Sequence, residues 1–309
     1  MIEIKNLTKR FGQTYALNSL NMKISESGIF GIVGSNGAGK STLMRLIAGV
    51  YQPDNGEAVV DGESVFDNPK AKEKCVFLSD TVFYTAGATL TSMAKTYATH
   101  YPNFSFEDFD EMVKRFGLNP SAPLNSFSKG MQRQAMIILA LACNCKYTIL
   151  DETLDGLDPV MRGVVKKRIY EAVMDRSATV IITSHSLREL DDTCDNLAML
   201  HQGRIIYQKD VEDLKTSLIK VQVAFEDEYD IKRFAGIDVM KYTKNGSVAN
   251  LIVKGEKEAI SDTLRAKKPL LLEIVPLSLE EIFTYELRER GYAFEDVADL
   301  EDDEDEKHV

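Results

Sequence analysis

The stretch from Gly34 to Thr42 constrains the fold of this chain more than any other. It reads Gly-Ser-Asn-Gly-Ala-Gly-Lys-Ser-Thr and matches the phosphate-binding pattern G-x-x-x-x-G-K-[ST]. An apolar run from Ile29 to Val33 precedes it and predicts a buried strand. Apolar residues follow at helical spacing, namely Leu43, Met44, Leu46 and Ile47. The sequence therefore predicts a strand, a phosphate-binding loop and a helix in direct succession.

The residue types of this loop suit a bound triphosphate. Successive backbone N–H groups wrap such an anion, and we expect Gly34, Gly37 and Gly39 to leave the backbone open to it. The dipole of the following helix points at the phosphates, Lys40 supplies a cation to them, and the Ser41 hydroxyl is the expected Mg²⁺ ligand. The predicted nucleotide site comprises Gly34, Ser35, Asn36, Gly37, Ala38, Gly39, Lys40, Ser41 and Thr42. The alternative, a glycine-rich turn without a ligand, would not explain the agreement of strand, loop, Lys-Ser pair and helix.

The charge of the chain is concentrated at one end. The formal net charge is −11, of which residues 295–309 carry −8 and the rest of the chain only −3. A nearly neutral body with an acidic tail is a poor fit to a protein that binds nucleic acid through its phosphates. We therefore expect no nucleic-acid partner.

Cysteine usage and hydropathy bear on the compartment. The four cysteines show no zinc spacing and no disulfide framework, which is typical of reduced thiols in a cytosolic protein. Residues 1–11 are charged throughout and do not resemble a signal peptide. Because no apolar run approaches the roughly 20 residues of a membrane span, any connection to a membrane is expected to come through a partner.

Composition and periodicity divide the chain into three parts. Strands alternate with helices through residues 1–218, which predicts a parallel sheet with covered faces, and a helical subdomain occupies about 85–145. Residues 219–290 read strand, helix, strand, strand, helix, strand, which predicts a small ferredoxin-like α+β unit. The acidic stretch 291–309 has the composition of a disordered tail.

A second chemical feature is Asp151-Glu152, at the end of the buried strand that begins at Tyr147. A carboxylate at this place can hold Mg²⁺ beside the phosphate loop, and its neighbour can orient and polarise the attacking water. The pair alone is common and usually only solvated. Downstream of a phosphate loop, it predicts Asp151 as a metal ligand and Glu152 as a catalytic residue.

Three further segments complete a pattern. Ser128-Lys129-Gly130-Met131-Gln132 resembles the signature of ABC-type ATPases, whose more usual form is Leu-Ser-Gly-Gly-Gln, and Ser128 and Gly130 match its serine and second glycine. Segment 155–158 resembles the family's D-loop, and segment 183–185 resembles its switch-histidine segment. These pieces span residues 1 to about 215, so the chain resembles the ATP-binding subunit of an ABC transporter with the P-loop NTPase fold.

The resemblance implies a mechanism. Two nucleotide-binding domains, in a homodimer or a heterodimer, face each other head to tail with ATP and Mg²⁺ between the phosphate loop of one and the signature of the other. Ser128 and the backbone near Gly130 would contact the γ-phosphate across the interface, and Phe11 would stack on adenine. His185 would hold the γ-phosphate and sense its loss, so that Lys40, Glu152 and His185 form the implied catalytic set.

One position departs from the family pattern. The family usually has glutamine, sometimes glutamate, at the strand end before the helical subdomain, where it meets Mg²⁺. The position is occupied here by Asp80, which is shorter and reaches the metal through water if at all. Asp80 therefore joins Ser41 and Asp151 as a predicted metal ligand.

Three functions compete. The first is an ATP-hydrolysing ABC subunit that lies at the inner face of the cell membrane, bound to a separate permease, and drives export. The second is a soluble ABC ATPase that acts on ribosomes or nucleic acid, although such relatives usually carry two nucleotide-binding domains or a long coiled coil. The third is a regulatory or dimerising role for residues 219–290, for which a packing extension is the simpler interpretation.

Overall fold

The computed structural model describes residues 1–154 and 157–289 of the chain. Two compact units divide at Gln208, and Lys209 begins the second one. The boundary after residue 218 that the sequence suggested stays a prediction. Asp155 and Gly156 of the segment that resembles a D-loop, and the acidic tail predicted from residue 291, lie outside the described residues.

The first unit alternates strands and helices. Its elements are β1 (Ile2–Phe11), β2 (Thr14–Ile24), β3 (Gly28–Val33), α1 (Lys40–Ile47), β4 (Asn55–Val60), β5 (Glu63–Ser64), α2 (Pro69–Lys72), β6 (Cys75–Leu78), α3 (Leu90–His100), α4 (Phe106–Phe116), α5 (Lys129–Ala142), β7 (Tyr147–Asp151), α6 (Pro159–Arg176), β8 (Thr179–Ser184), α7 (Leu187–Asp191), β9 (Asn196–His201) and β10 (Arg204–Asp210). The α/β class and the helical subdomain expected between about 85 and 145 are both observed.

The six-stranded sheet of this unit has the order β10-β9-β3-β8-β7-β6. β3 runs parallel to β8 and β9, and β7 runs parallel to β8 and β6. The register pairs Val33 with Ser184 and Asp151 with Thr183. The carboxyl ends of β3, β7 and β8 therefore meet at one edge, where α/β sheets bind their ligands.

Helix α1 lies between the six-stranded sheet and a four-stranded antiparallel sheet of order β2-β1-β4-β5. The apolar side chains at positions 43, 44, 46 and 47 are each at most 1% exposed, and they join both sheets in one core. Burial of such a side chain contributes about 2 kcal/mol relative to exposure. Both ends of the phosphate loop, at β3 and at α1, are therefore anchored in the core.

The second unit contains α8 (Val211–Ser217), β11 (Leu218–Ala224), β12 (Asp238–Asn245), β13 (Val248–Lys254), α9 (Lys257–Ala266), β14 (Leu271–Val275) and α10 (Leu279–Glu289). Its sheet has the order β12-β13-β11-β14, with antiparallel pairs throughout. This is the strand order that a ferredoxin-like βαββαβ unit requires. The first predicted helix is reduced to a 3-10 turn, Ile231–Phe234, since Asp230 caps it and Gly236, at φ 90°, follows it closely.

The sequence predicted neither a membrane-spanning helix nor a disulfide framework. None of the helices in residues 1–154 and 157–289 has the length and apolar character that a bilayer span requires. The four cysteines are free and buried, and burial raises the pKa of the Cys75 thiol to about 12. A buried thiol with a raised pKa is unreactive.

Candidate active site

The phosphate loop, residues 34–39, connects the end of β3 to the start of α1. Asn36 and Gly37 at its tip are exposed, Ser35, Ser41 and Thr42 are half-buried, and Ala38 packs into the core. Within the described part of the chain, no side chain caps the N-terminus of α1, whose N-cap residue is Gly39. An uncapped helix N-terminus is suited to an anionic ligand, and the binding of phosphates by this loop stays a prediction.

Two glycines of the loop are required by packing and not only by access to the ligand. A Cβ on Gly34 would lie 2.3 Å from the Leu200 carbonyl oxygen, and one on Gly39 would lie 2.5 Å from that of Ala16. Gly37 has open space around it, so the expectation of a bare backbone facing the phosphates fits this position best. Packing is thus a second reason for glycine at positions 34 and 39, since a side chain there would collide with the neighbouring backbone.

Lys40 lies inside the loop and is only 4% exposed. Its ammonium donates to the carbonyl oxygens of Gly34 at 2.5 Å and Ser35 at 3.3 Å, and it pairs with Glu152 Oε1 at 3.2 Å. The predicted cation and the predicted catalytic carboxylate therefore form an ion pair across the loop. Lys40, which follows the loop after β3, thus contacts Glu152, which follows β7.

Asp151 ends β7 and is fully buried. Its Oδ1 accepts a hydrogen bond from the Thr183 hydroxyl at 2.7 Å, whereas Oδ2 has no hydrogen-bond partner among residues 1–154 and 157–289. Burial raises the pKa of the Asp151 carboxyl, the hydroxyls of Thr183 and Ser41 lower it, and the charges of Asp80 and Glu152 raise it again. A buried carboxylate whose second oxygen accepts no hydrogen bond from the described residues is suited to a cation, and the Ser41 hydroxyl is near enough to contribute a further oxygen donor.

Glu152 has a strained backbone. Its φ is 49°, in the left-handed region that non-glycine residues rarely adopt. The Glu152 N–H donates to the Thr183 hydroxyl at 2.9 Å and to the Thr183 carbonyl at 3.2 Å, which hold the conformation. Such strain costs on the order of 1–3 kcal/mol and is common at functional sites.

His185 follows directly on the end of β8 and is half-buried. Its neighbour Ser184 pairs in register with Val33, the residue before the phosphate loop. The fold therefore brings the switch-histidine candidate to the same sheet edge as Lys40 and Glu152.

Asp80 has a partner that the sequence did not suggest. Its carboxylate pairs with Arg45 of α1 at 3.2 Å, and its backbone carbonyl accepts a hydrogen bond from Arg133 of α5 at 3.1 Å. Asp80 lies near enough for its charge to raise the pKa of Asp151. Its role as a metal ligand stays a prediction.

Ser128 caps helix α5, and its hydroxyl accepts a hydrogen bond from the Met131 N–H at 3.2 Å. Gly130 in the first turn has open space where a side chain would be, and Ser128 is exposed. Gln132 holds this turn in place, because its amide donates to the Tyr84 hydroxyl and to the carbonyl oxygens of the two residues Leu124 and Phe127. The signature segment is thus a rigid, accessible helix N-terminus.

The remaining predicted residue, Phe11, ends β1 and is 50% exposed. Its ring meets that of Tyr51 edge to face, with 5.7 Å between the centroids. The ammonium of Lys9 lies over this ring, 5.7 Å from its centroid, and stacking of adenine on Phe11 stays a prediction.

Sequence reasoning missed several residues that support the site. Thr183 orients both Asp151 and Glu152, Gln132 and Arg133 hold the signature segment and the Asp80 loop, and Arg45 pairs with Asp80. Thr183 belonged to a segment already singled out for His185, so its position was a usable signal. Gln132 likewise belonged to the signature segment already singled out. Arg45 and Arg133 contact Asp80 from other elements, so no local pattern identifies them.

Comparisons with known proteins agree with this geometry. A family model described as ABC transporter matches residues 17–155. The ABC transporter ATP-binding protein YtrB of Bacillus subtilis (strain 168) is 27% identical over 284 residues, covering 92% of this chain and 97% of that protein. The bacitracin transport ATP-binding protein BcrA of Bacillus licheniformis is 30% identical over 222 residues, covering 70% and 71%.

Solved structures share the fold of the first unit. One neighbour is the dimeric, post-hydrolysis ATP-binding cassette MJ0796 bound to ADP and Pi, with a TM-score of 0.61 and 23% identity. The match covers 68% of this chain and 99% of that one. The alignment with YtrB is longer than the first unit, so that similarity continues into the second unit.

The packing at Gly39 generates a first prediction. Gly39→Ala should weaken ATP binding at least about tenfold and lower stability by more than about 1 kcal/mol, because φ is 109° and the new Cβ meets the Ala16 carbonyl. Calorimetric titration with ATP and thermal unfolding measure both effects. Gly163→Ala, in open space within α6, is the matched control and should retain affinity. Wild-type affinity and melting temperature in Gly39→Ala would contradict this account of the loop.

Proposed function

This chain belongs to the family of ABC transporter ATP-binding proteins and is an ATPase, and on that premise we propose that it drives a separate membrane permease. Two copies of this chain, or one copy and a related chain, enclose two ATP molecules between them. Hydrolysis of the ATP then allows the two chains to separate. The observation that carries the proposal is the Lys40–Glu152 ion pair at the mouth of the phosphate loop.

Lys40 is the residue that exchanges partners. Its ammonium contacts two loop carbonyl oxygens and Glu152, and the phosphate oxygens of ATP are stronger acceptors than the carbonyls. Binding of ATP transfers Lys40 to the β- and γ-phosphates and frees the Glu152 carboxylate. Glu152 then accepts the proton of the water that attacks the γ-phosphate.

The donor set around Asp151 fits Mg²⁺. Oδ2 of the buried Asp151 carboxylate has no hydrogen-bond partner among the described residues, and the Ser41 hydroxyl is near enough to lower the pKa of that carboxyl. Both groups are oxygen donors of the kind Mg²⁺ prefers. In the described ranges, no group of three or more His, Cys, Asp or Glu side chains could hold a metal ion. Ser41 and Asp151 would hold Mg²⁺, which would neutralise charge on the phosphates of the nucleotide.

The signature segment completes the site of the partner chain. Ser128 and Gly130 expose a helix N-terminus with open space around it, which is a surface that attracts the γ-phosphate of an ATP held elsewhere. The cassette MJ0796, which is dimeric, supports this arrangement. His185 contacts the γ-phosphate from within its own chain, and Phe11 stacks on the adenine.

Export is the proposed direction. Support comes from the relative named for bacitracin transport. The chain then lies on the inner face of the cell membrane through its permease.

Glu152→Gln tests the hydrolytic role. The amide keeps the shape of the side chain but cannot accept the proton, so kcat should fall about 100-fold or more while ATP still binds. Phosphate release measures turnover, and titration calorimetry measures binding. Glu107→Gln, an exposed position at the start of α4, is the control and should be unaffected. Turnover of Glu152→Gln within about twofold of wild type would assign the base to another group.

A membrane partner tests the transport role. Tagged Glu152→Gln, purified with MgATP from detergent-solubilised membranes of its own host, should retain a multi-span protein in stoichiometric yield. Lys40→Ala, which lacks the phosphate contact, should retain less of it under the same conditions. Identification by mass spectrometry distinguishes the outcomes. Ribosomal proteins or nucleic acid in place of a multi-span protein would overturn the transport role.

A further inference from the structure

A chain of polar contacts connects helix α6 to the residues on either side of His185. Arg162 of α6 pairs with Glu189 Oε1 at 3.2 Å, and Glu189 Oε2 accepts a hydrogen bond from the Ser184 hydroxyl at 2.8 Å. The Ser184 hydroxyl in turn accepts a hydrogen bond from the Ser186 N–H at 3.0 Å. We call Arg162, Glu189 and Ser184 the α6–His185 bridge. None of the three carries a role in the hydrolysis described above.

The last contact of the bridge encloses His185. A serine hydroxyl that accepts from the N–H two residues later closes a small turn, and the residue between them is His185. Ser184 is 1% exposed, so its hydroxyl is confined to these protein partners. The donor contact to Glu189 fixes the direction of the hydroxyl, and the acceptor contact fixes the backbone at His185.

The other end of the bridge lies where α6 begins. Asp158 caps this helix, and Arg162 also donates to the carbonyl oxygen of Leu157 at 3.4 Å. The Arg162 side chain is 30% exposed and that of Glu189 is 15% exposed. Because both charges are largely removed from water, loss of one partner costs more than at a surface pair. The bridge thus joins the segment before α6 to the turn around His185 through buried charge.

We propose that Glu189, held by Arg162, is a positioning residue that acts on His185 through Ser184. The inference rests on the proposed role of His185 at the γ-phosphate. Without the bridge, the turn around His185 relaxes, and the imidazole leaves the geometry in which it meets the phosphate. A misplacement of about 1 Å at such a group is enough to reduce a rate up to about 100-fold.

A purely structural role of the α6–His185 bridge predicts a different result. If the bridge only packs α6 against β8, its loss lowers stability and affects turnover in any background. If it acts through His185, its loss has no further effect once the imidazole is gone. A double-mutant cycle separates the two cases.

The cycle compares wild type, Ser184→Ala, His185→Ala and the double variant. Ser184→Ala should lower kcat about tenfold with ATP affinity within about twofold of wild type, and Ser184→Thr, which keeps a hydroxyl, should restore most of the rate. The double variant should be no slower than His185→Ala alone. Phosphate release gives kcat, calorimetry gives affinity, and thermal unfolding confirms that each variant is folded.

Glu189→Gln tests the same bridge from its other end and keeps the test open should Ser184→Ala fail to fold. It should also lower kcat in the wild-type background and have no effect in the His185→Ala background. Glu171→Gln is the matched control, because it breaks an Arg–Glu ion pair with Arg168 near the other end of α6. The control should leave kcat unchanged.

Two results would overturn the inference, and they are distinguishable. Equal, multiplicative losses from Ser184→Ala or Glu189→Gln with and without the imidazole would show that the bridge acts elsewhere, while the role of His185 stands. A wild-type rate in His185→Ala would remove the role of His185 itself, and the inference with it.

Discussion

The parallel pairing of β3, β7 and β8 brings three separate pieces of the sequence to one edge of the sheet. The phosphate loop follows β3, Asp151 and Glu152 end and follow β7, and His185 follows β8. Because the register pairs Val33 with Ser184 and Asp151 with Thr183, the ends are level. A shift of one strand along its neighbour would separate the Lys40 ammonium from the Glu152 carboxylate. The proposed chemistry requires these two groups to be close together.

Charge at the site is balanced without a nucleotide. One buried ammonium faces one carboxylate and two carbonyl oxygens, while a second buried carboxylate keeps an oxygen without a donor among the described residues. The Lys40 ammonium thus has an anionic partner within the protein, whereas Oδ2 of Asp151 can accept a second cation. In the proposed function, the phosphates of ATP would replace Glu152 as the partner of Lys40, and Mg²⁺ would supply the positive charge beside Asp151.

Local motifs in the sequence predicted which side chains lie together at the candidate site, whereas the long-range contacts around them could not be predicted from the sequence. The phosphate loop, the Asp151-Glu152 strand end and the capped signature helix are each short segments whose spacing dictates their structure. The partners Arg45 for Asp80 and Arg162 for Glu189 come from different elements, so no local pattern identifies them. The demand for glycine at position 34 likewise comes from the backbone of β9, about 160 residues away along the chain. The first helix predicted for residues 219–290 is only a 3-10 turn, because Gly236, at φ 90°, follows it closely.

The central claim is that ATP is held between the phosphate loop of one chain and the signature segment of another. Sedimentation velocity of the Glu152→Gln variant, with no nucleotide, with MgADP and with MgATP, tests it most directly. We expect this variant to be a monomer in the absence of nucleotide and in the presence of MgADP. In the presence of MgATP, we expect a dimer that contains two ATP molecules. A Ser128→Asp change, which places a negative charge against the γ-phosphate, should abolish the dimer while each chain still binds ATP. A monomer at saturating MgATP, or a dimer that ignores both the nucleotide and position 128, would contradict the account.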